Sequence, residues 1–218
     1  AANTAQGEGF IALADTSGTA SWITTFPSTG SSLLFRPVVL PDGSCVVSGM
    51  FTGNLLLPED TLYGSSTMYT SFVVLLSNSG EVEWAVPFTA DGHALVYDLD
   101  LDSQGDLLVY GRFEGDLQIG QTSISSVGSK KGILCRLGSD GSLKAAMTFA
   151  RVPYGTGSVL ATDHGVYLSS EFDSTMTLGS TVIQGSQPSL GDDLFLARFD
   201  SISGFTNVPT AMATEGGA

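Results

Sequence analysis

Short apolar runs of strand length, each followed by a glycine-centred turn, recur along the chain at one spacing. Phe10-Ile11-Ala12-Leu13 leads to Gly18 and Trp22, Phe72-Val73-Val74-Leu75 to Gly80 and Trp84, Ile133-Leu134-Cys135-Arg136 to Gly141 and Ala145, and Phe195-Leu196-Ala197-Arg198 to Gly204. The first positions, 10, 72, 133 and 195, are spaced by 62, 61 and 62 residues. A second signature lies between these runs. Asp42-Gly43 leads to Gly49-Met50-Phe51, Gln104-Gly105 to Gly111-Arg112-Phe113, and His164-Gly165 to Ser170-Glu171-Phe172. The connecting segment repeats as well, as Leu57-Pro58 with Leu62, Ile119-Gly120 with Ile124, and Leu178-Gly179 with Ile183.

Each unit therefore offers four short strands, A (near 34–40), B (44–51), C (71–77) and D (81–88) in the first complete copy. Asp42-Gly43, Gln104-Gly105 and His164-Gly165 sit where an A–B hairpin needs positive φ, and Gly18, Gly80 and Gly141 do the same between C and D. No sustained 3.6-residue apolar stripe with caps appears, so no helix is expected. Tandem four-stranded antiparallel units with an apolar central pair form the pattern of propeller blades. The expected fold is thus an all-β β-propeller of four-stranded antiparallel blades. About three and a half blades lie in residues 1–218, read as one domain: a half blade at 9–26 and blades at about 33–89, 94–150 and 156–210.

Two stretches carry a family resemblance: Asp193-Leu194-Phe195-Leu196-Ala197-Arg198-Phe199-Asp200 and Asn78-Ser79-Gly80-Glu81-Val82-Glu83-Trp84. They resemble the bacterial SBBP family, the seven-bladed β-propeller repeat, whose units run through an Asp-x-Phe-Val-Ala-Lys strand into Gly-Asn-x-x-Trp. The likeness extends over nearly the whole chain through tolerant, structural motifs. It departs at Ala145, which takes the place of the third Trp, and at Ser201-Ile202-Ser203-Gly204, a turn one residue longer. The resemblance implies a secreted or surface-displayed bacterial protein with binding or scaffolding roles.

The strand count does not close. It runs C-D and then three times A-B-C-D, so strand C at Phe10–Ala14 lacks an A–B pair and presents an edge that proteins normally cover. The expectation is a piece of a longer polypeptide or a ring completed by another chain, through a protein partner or self-association.

Composition narrows the partners. Eight Lys plus Arg against 22 Asp plus Glu give a net charge of −14, which repels nucleic-acid backbones and anionic lipid surfaces. No apolar run approaches the roughly 18 residues of a membrane helix. The start, Ala1-Ala2-Asn3-Thr4-Ala5, has neither a basic nor an apolar signal region, so any export signal is expected upstream or removed. Cys45 and Cys135 occupy different repeat positions in apolar strands and read as buried free thiols ahead of a disulfide.

Candidate chemistry is sparse. Asp98-Leu99-Asp100-Leu101-Asp102-Ser103-Gln104-Gly105-Asp106 has the look of a calcium loop, with Asp100, Asp102 and Asp106 as weak metal candidates. Gln104 and Leu108 stand where ligands are needed, and no Glu follows at position 111, so a turn role is favoured. Asp15, Gly18 and Trp22, like Ser77, Gly80 and Trp84, miss the spacings of sialidase Asp boxes and quinoprotein repeats. His93 and His164 sit by glycine turns outside any metal spacing. Trp22 and Trp84 recur at one site, which fits packing between units better than sugar stacking. Residues that break the repeat are better ligand or partner contacts: Met50, Arg112 and Glu171 at one equivalent site, and the B–C loops near 58–70, 120–131 and 179–193.

No nucleophile elbow, phosphate loop or placed carboxylate pair emerges, and no catalytic residue or cofactor is assigned. The expected function is a non-enzymatic exported propeller, extracellular or on the bacterial surface, acting as a structural, adhesive or interaction module toward a protein or glycan. The alternative is part of a glycan hydrolase or lyase with its catalytic groups outside this segment.

Overall fold

The structure, a computed structural model, describes residues 7–125, 130–150, 152, 157–173, 175–178, 181–185 and 193–199. Its regular elements are all strands. They are β1 (Gly9–Ala14), β2 (Ala20–Phe26), β3 (Ser32–Val39), β4 (Cys45–Phe51), β5 (Asn54–Leu56), β6 (Thr61–Tyr63), β7 (Thr70–Leu76), β8 (Val82–Ala90), β9 (Ala94–Leu101) and β10 (Leu107–Phe113). They continue as β11 (Leu117–Ile119), β12 (Thr122–Ile124), β13 (Lys131–Leu137), β14 (Leu143–Ala150), β15 (Gly157–Thr162), β16 (Gly165–Phe172), β17 (Thr175–Leu178), β18 (Thr181–Gln184) and β19 (Asp193–Phe199). Every pairing is antiparallel. Among the described residues no helix is long and apolar enough to cross a membrane.

The strands fall into the repeating order read from the turns. β3-β4-β7-β8 and β9-β10-β13-β14 are meanders of four, β15-β16-β19 supplies three strands of the next unit, and β1-β2 forms a separate pair. The fourth strand expected in the last unit lies outside the described residues. Tight turns set the register: at Gly80, φ is 84°, and its amide donates to Ser77 O at 3.0 Å, a conformation that any Cβ would strain.

One correction concerns the B–C segments. Each contains a second hairpin, β5-β6, β11-β12 or β17-β18, where the sequence suggested only a loop. These hairpins belong to the preceding unit. β11 pairs with β8, which makes the first complete unit a six-stranded sheet, β12-β11-β8-β7-β4-β3, in place of the expected four strands. β5 reaches back in the same way, with Leu56 N donating to Pro27 O at 2.8 Å and Thr29 N to Asn54 O at 2.9 Å. Buried Leu55, Leu62, Leu117, Ile119, Ile124 and Met176 hold the hairpins down. Strands of three or four residues owe their stability to this docking, because their own pairing is marginal.

Among the described residues, apolar side chains gather in three seams, one between each consecutive pair of units. Phe26, Phe51, Phe72, Val74 and Leu76 fill the first, Val73, Val86, Phe88, Val109, Ile133 and Cys135 the second, and Leu108, Tyr110, Leu134, Phe149, Leu168 and Phe195 the third. Alternation along each strand explains the division. Phe72, Val74 and Leu76 point back to the preceding unit while Val73 and Leu75 point forward, so an interior strand is apolar on both faces.

The A–B ladder inside each unit also demands one close backbone approach. A Cβ on Gly49 would lie 2.6 Å from Leu33 O, and one on Gly111 2.4 Å from Leu95 O. In the last unit Ser170 takes that position, and the glycine moves across the ladder to Gly157, its register partner.

Candidate interaction surfaces

The acidic segment 98–106 works at a seam. Period-two alternation puts Asp98 and Asp100 on the side of β9 that meets β15, the edge strand of the following unit. Asp98 Oδ2 accepts from Val159 N at 2.9 Å and from the Ser158 hydroxyl, and Asp100 Oδ2 accepts from Ala161 N at 2.6 Å. These carboxylates occupy backbone donors that an edge strand would otherwise present. Arg36 on β3 approaches Asp98 at 3.6 Å, so three successive A strands are linked.

Asp102 and Asp106 are held by cations. Arg136 Nε lies 3.1 Å from Asp102 Oδ2 and its Nη2 2.8 Å from Asp106 Oδ2; Lys144 Nζ lies 2.5 Å from Asp106 Oδ1. Asp102 Oδ1 accepts from Gln104 N and Asp106 N, closing the turn. Asp100 thus faces β15 while Asp102 and Asp106 share Arg136, an arrangement for pairing protein charges. Among the described residues no group of three or more His, Cys, Asp or Glu could hold a metal ion. The sequence missed Arg136 and Lys144 as partners; the alternating Asp-Leu-Asp-Leu-Asp pattern was the available signal for a one-faced acidic strand.

Met50, Arg112 and Glu171 occupy equivalent B-strand positions on the forward-facing side. Met50 is half-buried, Arg112 pairs with Glu114 at 3.6 Å, and Glu171 is buried. Around Arg112 the seam is polar: Tyr97 is hydrogen-bonded to it and lies within the field of Glu171, while burial is the main influence raising the Tyr97 phenol pKa. Tyr110 stacks on Phe149 and shares a 2.5 Å hydrogen bond with Ser170. Burial also raises its phenol pKa.

Trp22 and Trp84 fasten seams at their outer end. The Trp22 indole N–H donates to Asn78 O at 3.0 Å and the Trp84 N–H to Ser139 O at 2.9 Å, each reaching the C–D turn of the next unit. A Cβ on Gly80 would sit 2.6 Å from the Trp22 ring, and one on Gly141 3.0 Å from that of Trp84. The turn glycine thus serves both φ and the tryptophan above it. Cys45 and Cys135 are free and buried, and burial raises both thiol pKa values. His93 Nδ1 accepts from Tyr69 N at 3.0 Å, and His164 N donates to the Thr162 hydroxyl at 3.1 Å.

Open surface occurs in two forms. A groove of about 760 Å³ runs between the β1-β2 pair and the first complete unit, lined by Glu59, Asp60, Glu81 and Glu83 with Trp84. Apolar faces lie at the two ends of the array. Phe10 and Ile23 are exposed on the β1-β2 pair, and Leu160, Leu194 and Leu196 on the last unit. Of the B–C loops, residues 126–129, 179–180 and 186–192 lie outside the described residues. No family model matches the chain, and no curated protein matches it.

Proposed function

We propose that the chain forms blades of a bacterial SBBP-type β-propeller, exported and non-enzymatic, that serves as a structural or adhesive interaction module. One observation carries the architecture: A strands of successive units pack directly on one another, β3 on β9 and β9 on β15, and carboxylates lace them together. At the other end of the unit an inserted hairpin widens the sheet beside β8. Close A-strand packing on one side with an added hairpin on the other is what blades fanned about an axis require, and it supports that reading. The resemblance of Asp193–Asp200 and Asn78–Trp84 to the SBBP repeat supports the same reading.

The interaction role rests on how the polar groups are used. Asp98 and Asp100 bind the backbone of the next unit, while Asp102 and Asp106 are held by Arg136 and Arg112 has Glu114 inside their own unit, so these groups serve cohesion between and within units. What remains available for partners is open surface: the acidic groove and the apolar end faces. The purified chain, incubated with a panel of acidic and neutral polysaccharides, is expected to release neither reducing ends nor unsaturated lyase products. Release of either above buffer level, lost on heat denaturation of the chain, would overturn the non-enzymatic reading.

A further inference from the structure

Interior units are apolar on both faces, and each face has a defined complement. Across the second seam Val73 of one unit meets Ile133 of the next, in one buried cluster. Across the third, Leu134 and Phe195 stand in the same relation. Forward faces thus present the residue after the repeat's Phe or Ile, and backward faces present that Phe or Ile itself.

The two ends of the array carry one half of this pairing each. On the β1-β2 pair, Phe10 and Thr25 are cross-strand partners, as are Ala12 and Ile23, which places all four on the backward face. Phe10 is 66% exposed there, whereas Phe72, Ile133 and Phe195 at the same repeat position are 0%, 2% and 7% exposed. On the last unit, Leu194 pairs with Glu171, Leu196 with Ser169 and Leu160 with Tyr167, all on the forward face. Leu194 and Leu196 are 82% and 72% exposed, whereas Val73 and Leu134, the counterparts of Leu196, are fully buried.

We propose that the forward face of one copy, centred on Leu196 and Leu160, docks on the backward face of a second copy, centred on Phe10 and Ile23, reproducing an interior seam between chains. The occupant follows from register: Leu196 stands where Leu134 meets Phe195, and Phe10 stands where Phe195 receives Leu134. Such a contact is heterologous, head to tail, and builds a ring if its rotation closes and a filament if it does not. The inference rests on the interaction-module reading and names its partner, a second copy of this chain.

Sedimentation of residues 1–218 from low to high micromolar concentration tests it. The expected result is a mass that rises with concentration, while Phe10→Asp and Leu196→Asp are each monomeric with unchanged circular dichroism. Mixing the two variants is then decisive, because each retains the face the other has lost. Head-to-tail docking predicts a one-to-one dimer that grows no further. A wild type that stays monomeric throughout, variants that associate like wild type, or a mixture that remains monomeric overturns the inference. Polysaccharide cleavage, by contrast, would sink the non-enzymatic reading and leave this outcome untouched.

Discussion

β7 and β1 carry the same repeat strand, Phe72-Val73-Val74-Leu75 in one and Phe10-Ile11-Ala12-Leu13 in the other, yet β7 is buried along its whole length while β1 is mostly exposed. β13 and β19 differ in the same sense. Strand formation at these positions needs only the local alternation and the glycine turn; burial needs neighbours on both sides. Stability in such an array is therefore a property of seams, close to a sum of nearest-neighbour terms, and the same side chain is worth different amounts at different places. The substitutions below probe that claim by urea unfolding at concentrations low enough to keep the chain monomeric.

The largest contrast is expected at the first C-strand position. Phe72 is fully buried between Phe26 and Phe51, with ring centroids 5.6 and 5.9 Å away, so Phe72→Ala should cost about 3–5 kcal/mol. Phe10→Ala, on an exposed face, should stay within about 0.5 kcal/mol. Equal losses at the two positions would break the comparison, since they would show the terminal face to be covered within the monomer.

Arg136 gives a second probe, confined to the interior. Its partner Asp102 has a fully buried side chain, and Arg136→Met leaves the carboxylates of Asp102 and Asp106 without their shared cation. A loss of about 3 kcal/mol is expected, because stranding a buried charge costs far more than a surface pair is worth. Replacing Asp102 by Asn in the same variant, which removes the stranded charge and keeps the Oδ1 acceptor of the turn, should recover part of it. If Arg136→Met is neutral, the network does not hold the β9-β10-β13-β14 unit together.

Backbone proximity should matter somewhat less. At Gly111 a methyl group would meet the Leu95 carbonyl, which is main chain and yields little, so Gly111→Ala should cost about 1–3 kcal/mol. Gly157→Ala should behave alike, since its Cβ would lie 2.3 Å from Ser169 O. The main clash at both positions is with the A–B ladder of the same unit, although a Cβ on Gly157 would also lie 2.9 Å from the Tyr110 ring across the seam, so the loss should be about as large in the terminal unit as in the interior one. A difference between the two would mean that seam packing, and not the ladder, imposes the glycine.

Much of this was legible before any coordinates. The main A–D strands within the described residues fall where period-two alternation and turn glycines put them, because those signals are local and recur every 59–63 residues. The role of Trp22 and Trp84 was legible for the same reason. The hairpins at β5-β6, β11-β12 and β17-β18 were not: three or four residues are too few to show a period, and their partners belong to the preceding unit. The fates of Asp98, Asp100 and Asp102 were not read from the sequence, which favoured a turn: the Asp-Leu-Asp-Leu-Asp alternation marks one strand face, but only folding brought up β15 and Arg136. Met50, Arg112 and Glu171 stood out by breaking the repeat, and the structure puts all three on the forward-facing side of their strands, at a seam for Met50 and Arg112 and on the last unit's end face for Glu171.

The smallest expected effect comes from turns that ignore the seams altogether. Asp15 accepts from the Ser17 hydroxyl and from backbone amides, and Asp42 and Asp140 do the same with Ser44 and Ser142. In each case the serine hydroxyl is the leading influence, and all three carboxyls are held below the ordinary aspartate value of 3.8. A depressed folded pKa means that the folded form favours the carboxylate. The stabilisation is then fully present above the unfolded value and is lost as pH falls through the folded one. Unfolding midpoints should therefore decline below about pH 4, and Asp→Asn at each turn should flatten its share of that decline. Asp15 sits in the terminal pair, Asp42 and Asp140 in complete units, yet all three groups are solvent-exposed and bonded only within their own turns. Their slopes should match. A clearly steeper slope at Asp140 than at Asp15 would show that turn chemistry also feels the neighbouring unit, and would end the separation between local turns and shared seams.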